Sequence, residues 1–237
     1  MSPKRLVLMV EGEGDEGAAK VLVKRLLQEQ GGFDEVCLDD YPMRIGAYPT
    51  VCKPENKKPF GEYLRLLEAC KKRENLGGVL IILDGDSPWM CDGNGPVKGQ
   101  QFCAKQAAQM LARVARHAGA GRRFSLAVVF ACIKFESWFI TAADSLVGKH
   151  FSDNRIVLRE PLPAIPPDPE AHPRDAKGWL RKNLSIGYNP RREQQKLAQI
   201  VDLKLIREKM RSFRRLENAV KKLLHAIRTG KPISSPP

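Results

Sequence analysis

The stretch Leu80-Ile81-Ile82-Leu83-Asp84-Gly85-Asp86 decides the fold. Four consecutive aliphatic residues read as a strand buried on both faces, and strands of this kind deliver their chemistry at the carboxyl end, where loops open into a crevice. Asp84 and Asp86 would stand at that edge. Alternate residues of an extended segment point the same way, so both carboxylates can face one hard cation such as Mg²⁺ or Mn²⁺. A solvated Asp-Gly-Asp turn after a core strand has the same sequence.

Working outward, Arg5-Leu6-Val7-Leu8-Met9-Val10 is a second strand-like run, ending in Glu11-Gly12-Glu13-Gly14-Asp15-Glu16. A helix-period segment follows, with Ala18, Leu22 and Leu26 on one face. Glu11 leaves its strand at the same edge as Asp84. Asp15 and Glu16 fall in the first helical turn, where the macrodipole favours acids, so helix capping competes with metal binding there. The segment is not a phosphate loop, because the required glycine and lysine spacings are missing and its acids would repel phosphate. A third run, Ser125-Leu126-Ala127-Val128-Val129-Phe130-Ala131, leads through Cys132, Ile133, Lys134 and Phe135 to Glu136 at the start of another helix. Glu136 is either a further acid at the edge or an ordinary first-turn glutamate. Trp138 and Phe139 read as core anchors, and Lys134 as a phosphate contact or a solvated lysine.

A glutamate after the first strand, an Asp-x-Asp after a later strand and a further acid downstream resemble the Toprim domain of topoisomerases, bacterial primases and OLD-type nucleases. Within that group, Val10–Glu16, Leu83–Asp86 and Lys134–Phe139 are similar to the DUF4276 family of Toprim-like proteins. So are Ala176–Leu180, Tyr188-Asn189-Pro190 and Arg211–Leu216, which extends the likeness over most of the chain. Gly14 departs from the pattern, standing where a small hydroxyl residue is expected. The resemblance implies a metal-dependent nuclease in which Glu11, Asp84, Asp86 and Glu136 hold Mg²⁺ or Mn²⁺, with Asp15 available to a second ion. It also allows Glu11 to act as general acid/base. Lys177 would offset phosphate charge, with a surface lysine as the alternative. Toprim-like nucleases often act in phage defence with an SMC- or ABC-like ATPase; this chain has no phosphate loop, so the ATPase would be a separate subunit. Two other classes remain: a non-catalytic module that uses the acidic edge and the basic flank to bind nucleic acid or a partner, and a phosphoacceptor domain using Asp84, which leaves the basic extension unexplained.

At 237 residues, 43% of them hydrophobic, the chain can bury a real core. No run approaches a membrane span and no apolar signal segment follows Met1-Ser2-Pro3-Lys4-Arg5, so a cytoplasmic protein is expected. The cysteines at 37, 52, 70, 91, 103 and 132 form no Cys-x-x-Cys pair and read as reduced thiols. The four histidines are scattered, which gives no support to a histidine-based site.

Charge is uneven. Residues 174–231 carry 17 Lys and Arg against 5 Asp and Glu, whereas residues 1–173 carry 23 against 22, so nearly all of the net +13 sits in the last quarter. A proline-rich stretch, 161–173, separates the two as a stiff connector. The expected organisation is therefore an α/β domain over 1–160, a Toprim-like, mostly parallel sheet with helices on both faces. The connector, a small basic helical extension over 174–231 and a disordered tail at 232–237 follow it. Expected elements are strands at 5–10, 36–39, 79–83 and 125–131, and helices at 15–29, 61–74, 100–118 and 136–147. The segments 41–61 and 87–99 read as irregular, the latter a loop able to gate the site. Further helices are expected at 174–184, 192–210 and 212–229. In the last, Phe213, Leu216, Val220, Leu223, Leu224 and Ile227 share a face, opposed by Arg211, Arg214, Arg215, Lys221, Lys222 and Arg228. That basic face is a candidate wall for tracking nucleic-acid phosphates, although most such faces are merely solvated.

Overall fold

The computed structural model describes residues 2–158, 161–162, 164–165 and 167–236. Three long strands carry the centre: β1 (Lys4–Val10), β4 (Leu76–Asp84) and β7 (Ser125–Ala131). Their side chains alternate between two cores. Leu6, Leu8, Val10, Leu80, Ile82, Ala127 and Val129 enter one, while Val7, Met9, Val79, Ile81, Leu83, Leu126, Val128 and Phe130 enter the other. A period of two with both phases apolar is what a sheet covered on both faces demands.

The strand order is β2-β1-β4-β7-β8, where β2 spans Val36–Leu38 and β8 spans Ser234–Ser235, with every pairing parallel. Short strands β2 (Val36–Leu38) and β3 (Met43–Arg44) share the outer edge of β1. The first core is covered by α1 (Glu13–Glu29), by the helices after residue 175 and by Trp138 and Phe139, which are fully buried as anchors. The second is covered by α2 (Tyr48–Val51), α3 (Gly61–Lys71) and α4 (Ala104–Ala115). The expected α/β class, with a mostly parallel sheet, helices on both faces and a basic C-terminal helix, is the one adopted.

That C-terminal helix, α9 (Arg211–Thr229), lies along β7 and β4 with Phe213, Leu216, Val220, Leu223 and Leu224 turned inward. Leu223 packs over Gly78 and Ile227 over Gly77: a Cβ at Gly78 would lie 3.2 Å from Leu223, and one at Gly77 3.1 Å from Ile227 and 2.8 Å from Lys4 Cβ. The helix thus runs away from the carboxyl edge of the sheet. At its start, Glu170 accepts from the Ser212 N–H at 2.5 Å and Trp138 Nε1 donates to Ser212 Oγ at 3.0 Å.

Five expectations of local structure need correction. The 41–61 segment is not irregular throughout but carries β3 and α2. The 87–99 segment is not a loop but a hairpin, β5 (Trp89–Cys91) and β6 (Pro96–Gln101), turned by Asp92–Gly95. There the Asn94 N–H donates to Asp92 Oδ1 at 2.8 Å and Gly93 adopts φ 97°. The 136–147 helix is α5 (Ser137–Thr141) followed by a tight turn over Ala143–Leu146. The 192–210 helix is broken into a wide turn at Pro190–Gln194, α7 (Gln195–Ile200) and α8 (Leu203–Lys209). The break follows from two polar groups. Arg25 takes the Ala198 and Val201 carbonyls at 2.8 Å, ending one helix, and Asp202 accepts from the Lys204 N–H at 2.7 Å, starting the next. Finally, Ser234–Ser235 is not a disordered tail but strand β8, paired with the edge of β7 and held by Ser234 Oγ donating to the Ala112 carbonyl at 2.9 Å. An open strand edge is a row of unpaired donors and acceptors, which this segment partly satisfies. Of the expected connector, Pro163 and Pro166 lie outside the described residues, as do Arg159 and Glu160 at the expected domain boundary and Met1 and Pro237 at the ends. The remaining helix, α6 (Ala176–Asn183), is capped by Asp175, which accepts from the Gly178 N–H at 2.8 Å.

Candidate functional site at the carboxyl edge of the sheet

Because β1, β4 and β7 are adjacent and parallel, Glu11, Asp84 and Glu136 follow or end three neighbouring strands at one edge. Glu11 reaches across: its Oε2 accepts from the Asp84 N–H at 3.1 Å. Asp84 is 6% exposed, and its Oδ1 accepts from the Phe135 N–H at 2.8 Å. Gly85 donates its N–H to the Ala131 carbonyl at 2.7 Å and to the Ile133 carbonyl at 2.9 Å. A Cβ there would lie 2.9 Å from the Ala131 oxygen, so glycine between the two aspartates lets β4 press against the exit of β7.

Lys134 is neither solvated nor outward-facing. Its Nζ lies 3.1 Å from Asp84 Oδ2 and also bonds Asp86, joining the pair with a cation from the chain itself. Burial disfavours its charge, but Asp84 and Asp86 outweigh that and push its pKa up. The acids are strained electrostatically the other way. Burial, followed by the Glu11 charge, raises the Asp84 carboxyl well above the ordinary value despite Lys134. Burial also raises Glu11, with Asp86 and Asp15 adding to it against the Asp84 N–H and Lys134.

Glu136 is 1% exposed and makes no side-chain bond to the helix it precedes. Instead its Oε1 accepts from the Tyr188 hydroxyl at 3.1 Å and stands 3.7 Å from Lys177 Nζ. Burial raises its pKa, opposed chiefly by Lys177. Asp15 does cap its helix, accepting from the Gly12 N–H at 3.1 Å, while its other oxygen accepts from Gln194 Nε2 at 2.8 Å. Its pKa is likewise raised by burial. Glu13 and Glu16 turn outward, paired with Arg44, and Arg191 bonds Glu13 at 2.6 Å.

One segment missed by the sequence reading closes this edge. Tyr188, Arg191 and Gln194 touch Glu136, Glu13 and Asp15 in turn. The same segment explains Gly14: a Cβ there would lie 2.5 Å from Pro190 Cβ and 3.0 Å from Gln194 Oε1. No side chain fits, hydroxyl or otherwise. The signal was present as Tyr188-Asn189-Pro190, but nothing in those residue types says which acids they meet.

The basic face of α9 is dispersed. Arg211 bonds Glu170 at 3.2 Å, Arg214 donates to the Arg207 carbonyl at 2.8 Å, and Lys221 stands 3.5 Å from Glu217. Arg228 is held by Glu35 at the far end of the sheet. Arg215 and Lys222 are exposed and have no acidic partner among the described residues; they line a groove of about 400 Å³ beside β7.

As donors, the carboxylate oxygens of Glu11, Asp84 and Asp86 suit a hard divalent cation. The edge is also short of positive charge and of donors: its acids are raised by burial and mutual repulsion, and Gln194 Oε1 nearby is buried with no partner among the described residues. As they stand, however, no three Asp, Glu, His or Cys side chains among the described residues are grouped to hold a metal ion, and Lys134 bonds both members of the Asp pair. A metal there requires Lys134 to give way. Among the described residues, no helix is long and apolar enough to cross a membrane.

Comparison with curated proteins gives no match. A family model described as a domain of unknown function, DUF4276, matches residues 10–221. That span runs from the end of β1 through all three acidic motifs and the Tyr188 segment into α9, and the chain belongs to the DUF4276 family.

Proposed function

We propose that this chain is a divalent-metal-dependent nuclease that cleaves phosphodiester bonds at the carboxyl edge of its sheet. The observation that carries the reading is the burial of Asp84, bonded to Glu11, and of Glu136 at the same edge, where adjacent parallel strands end, with all three carboxyls raised above their ordinary values. Burying like charges is destabilising, and such clusters mark functional sites. The resemblance of the acidic motifs to Toprim nucleases supports the same chemistry.

Mg²⁺ or Mn²⁺ held by Glu11, Asp84 and Asp86 would neutralise phosphoryl charge and lower the pKa of an attacking water. The chain's own residues divide the remaining work. Lys134 compensates the Asp pair, and with a metal held there its ammonium would be free to meet a substrate phosphate. Tyr188 fixes the Glu136 carboxyl by its hydroxyl, and Lys177 shares that oxygen from the half-exposed side. This pair orients Glu136 to accept a proton or to complete the ligand set. An SMC- or ABC-like ATPase, supplied as a separate chain in a phage-defence system, is the partner that the resemblance suggests.

Incubation with single- and double-stranded DNA and with tRNA, in Mg²⁺, Mn²⁺ or EDTA, tests the reading. Cleavage that needs metal is expected. Lys134 also favours a second reading, since an acid pair already neutralised within the chain suits a non-catalytic binding module. Retained nucleic-acid binding without cleavage under any metal, alone or with candidate ATPases, would select that module.

A further inference from the structure

Beside the acidic edge lies a cleft of about 410 Å³ whose lining includes Arg155, Ile186, Tyr188, Arg192 and Lys196. None of the three cations belongs to the basic helix. We propose that this cleft binds the nucleic-acid phosphate next to the scissile one, which rests on the nuclease reading for its catalytic meaning but not for its binding chemistry.

Its position follows from Tyr188. That side chain is 6% exposed, forms part of the cleft wall and donates its hydroxyl to Glu136 at 3.1 Å, so a single ring separates the cleft from the acidic site. A strand crossing the edge passes from one to the other. The volume falls within the range of about 300–1,000 Å³ usual for small-ligand sites.

Its charge follows from how the cations are held. Asp153 joins Arg155 and Lys196 through one oxygen, 3.1 Å from Lys196 Nζ, and lies outside the lining. One shared acceptor uses only one donor of each cation, leaving further N–H groups on both. The carboxylate therefore sets two cations side by side without exhausting them. Lys196 is also steadied over the Phe151 ring at 5.6 Å. Arg192 is exposed and has no acidic partner among the described residues. The one acid in the lining, Glu193, is 6% exposed and accepts from the Asn189 N–H at 2.7 Å, which holds part of its charge inside the protein. Guanidinium groups match phosphate oxygens in pairs, and Ile186 and the Tyr188 ring offer apolar surface to a sugar.

The test is binding of a fluorescein-labelled twelve-nucleotide oligothymidylate, read by anisotropy in EDTA over a salt series. Arg192→Ala combined with Arg155→Ala should weaken binding about tenfold or more. It should also flatten the plot of log K against log salt by about 0.7, since the two arginines meet one phosphate and each single-strand phosphate contact contributes about 0.7. Arg192→Lys keeps the charge and should keep the slope. Melting temperatures of all variants control for folding, because Arg155 also bonds Asp153. Wild type that fails to bind, or a folded double variant with wild-type affinity and slope, overturns the proposal. Wild-type binding by that variant together with metal-dependent cleavage removes this subsite and leaves the nuclease reading standing. Weakened, flattened binding with no cleavage under any metal keeps the subsite and removes the nuclease.

Discussion

At the carboxyl edge of the sheet, three acids from adjacent strands are buried or half-buried with their pKa values raised, and Lys134 and Lys177 are the cations the chain brings to them. On α9 the charge is more plentiful, but Arg211, Arg214, Lys221 and Arg228 are each bound to acids or carbonyls of the protein. The difference teaches that formal charge is a poor guide to available charge. Exposed cations that find partners serve to fasten the helix, whereas buried acids left under-compensated work against stability and need another reason to be there.

The sharpest way to break this contrast is Asp84→Asn. The substitution keeps an oxygen for the Phe135 N–H but removes the charge opposite Glu11. If the acids serve catalysis, metal-dependent cleavage should fall by about a hundredfold or more, since even a group supporting a metal ligand is commonly worth 10- to 100-fold. The melting temperature should hold, because Lys134 keeps Asp86 and one like charge is gone. Wild-type cleavage rates in a folded variant would remove the acids from the mechanism.

Next in size is Gly14→Ser, which supplies the hydroxyl residue that the resembled pattern expects. With Pro190 Cβ 2.5 Å from the new Cβ, overpacking should destabilise by about 1–3 kcal/mol in denaturant unfolding. It should also loosen Asp15 from Gln194, because the same segment carries both contacts. An unchanged stability would mean that the Pro190 turn moves freely and does not close the site.

What was legible in the sequence divides along the same line. Glu11, Asp84 and Glu136 were readable because each follows a run of core residues, and parallel strands bring such positions to one edge whatever the loops do. The fold class was readable for the same reason. The partners of those acids were not. Tyr188 lies 52 residues from Glu136 and Gln194 lies 179 from Asp15, and no local pattern encodes a contact over such distances. Lys134 failed differently: two residues before a candidate acid, it reads as a phosphate contact or a solvated lysine until the turn after β7 is known to fold it back over the Asp pair. The hairpin at 89–101 was missed because its strands are short and half-exposed, so neither alternation nor an apolar run announces them.

The contrast is sharpened by separating fastened from free cations. Arg228→Ala should change stability little, because its ion pair with Glu35 is exposed to solvent and screened, and should leave oligonucleotide binding alone. Arg215→Ala with Lys222→Ala should act on binding instead: no loss of stability, and a salt slope for duplex DNA smaller by about 1.8 if both meet phosphate. A slope change from Arg228→Ala equal to that from the pair would show that fastening does not withdraw a cation from binding.

The smallest expected effect asks whether Glu136 is under strain. Its carboxyl is raised from the ordinary 4.5, chiefly by burial, with Lys177 opposing. The folded protein therefore holds the Glu136 proton more readily than the unfolded chain. The stability gained from the protonated form is fully present below the unfolded value and is lost as pH rises through the folded one. Glu136→Gln is neutral throughout and still offers an oxygen to the Tyr188 hydroxyl, so it should not suffer that loss. Melting curves of the two proteins should lie close at pH 4 and separate toward pH 7, with the variant slightly the more stable. A glutamate placed to stabilise its helix predicts the reverse, a variant weaker by about 1 kcal/mol at pH 7, because removing an N-terminal acid forfeits its interaction with the helix dipole. The sign of the difference at neutral pH thus decides whether Glu136 is held for the fold or against it.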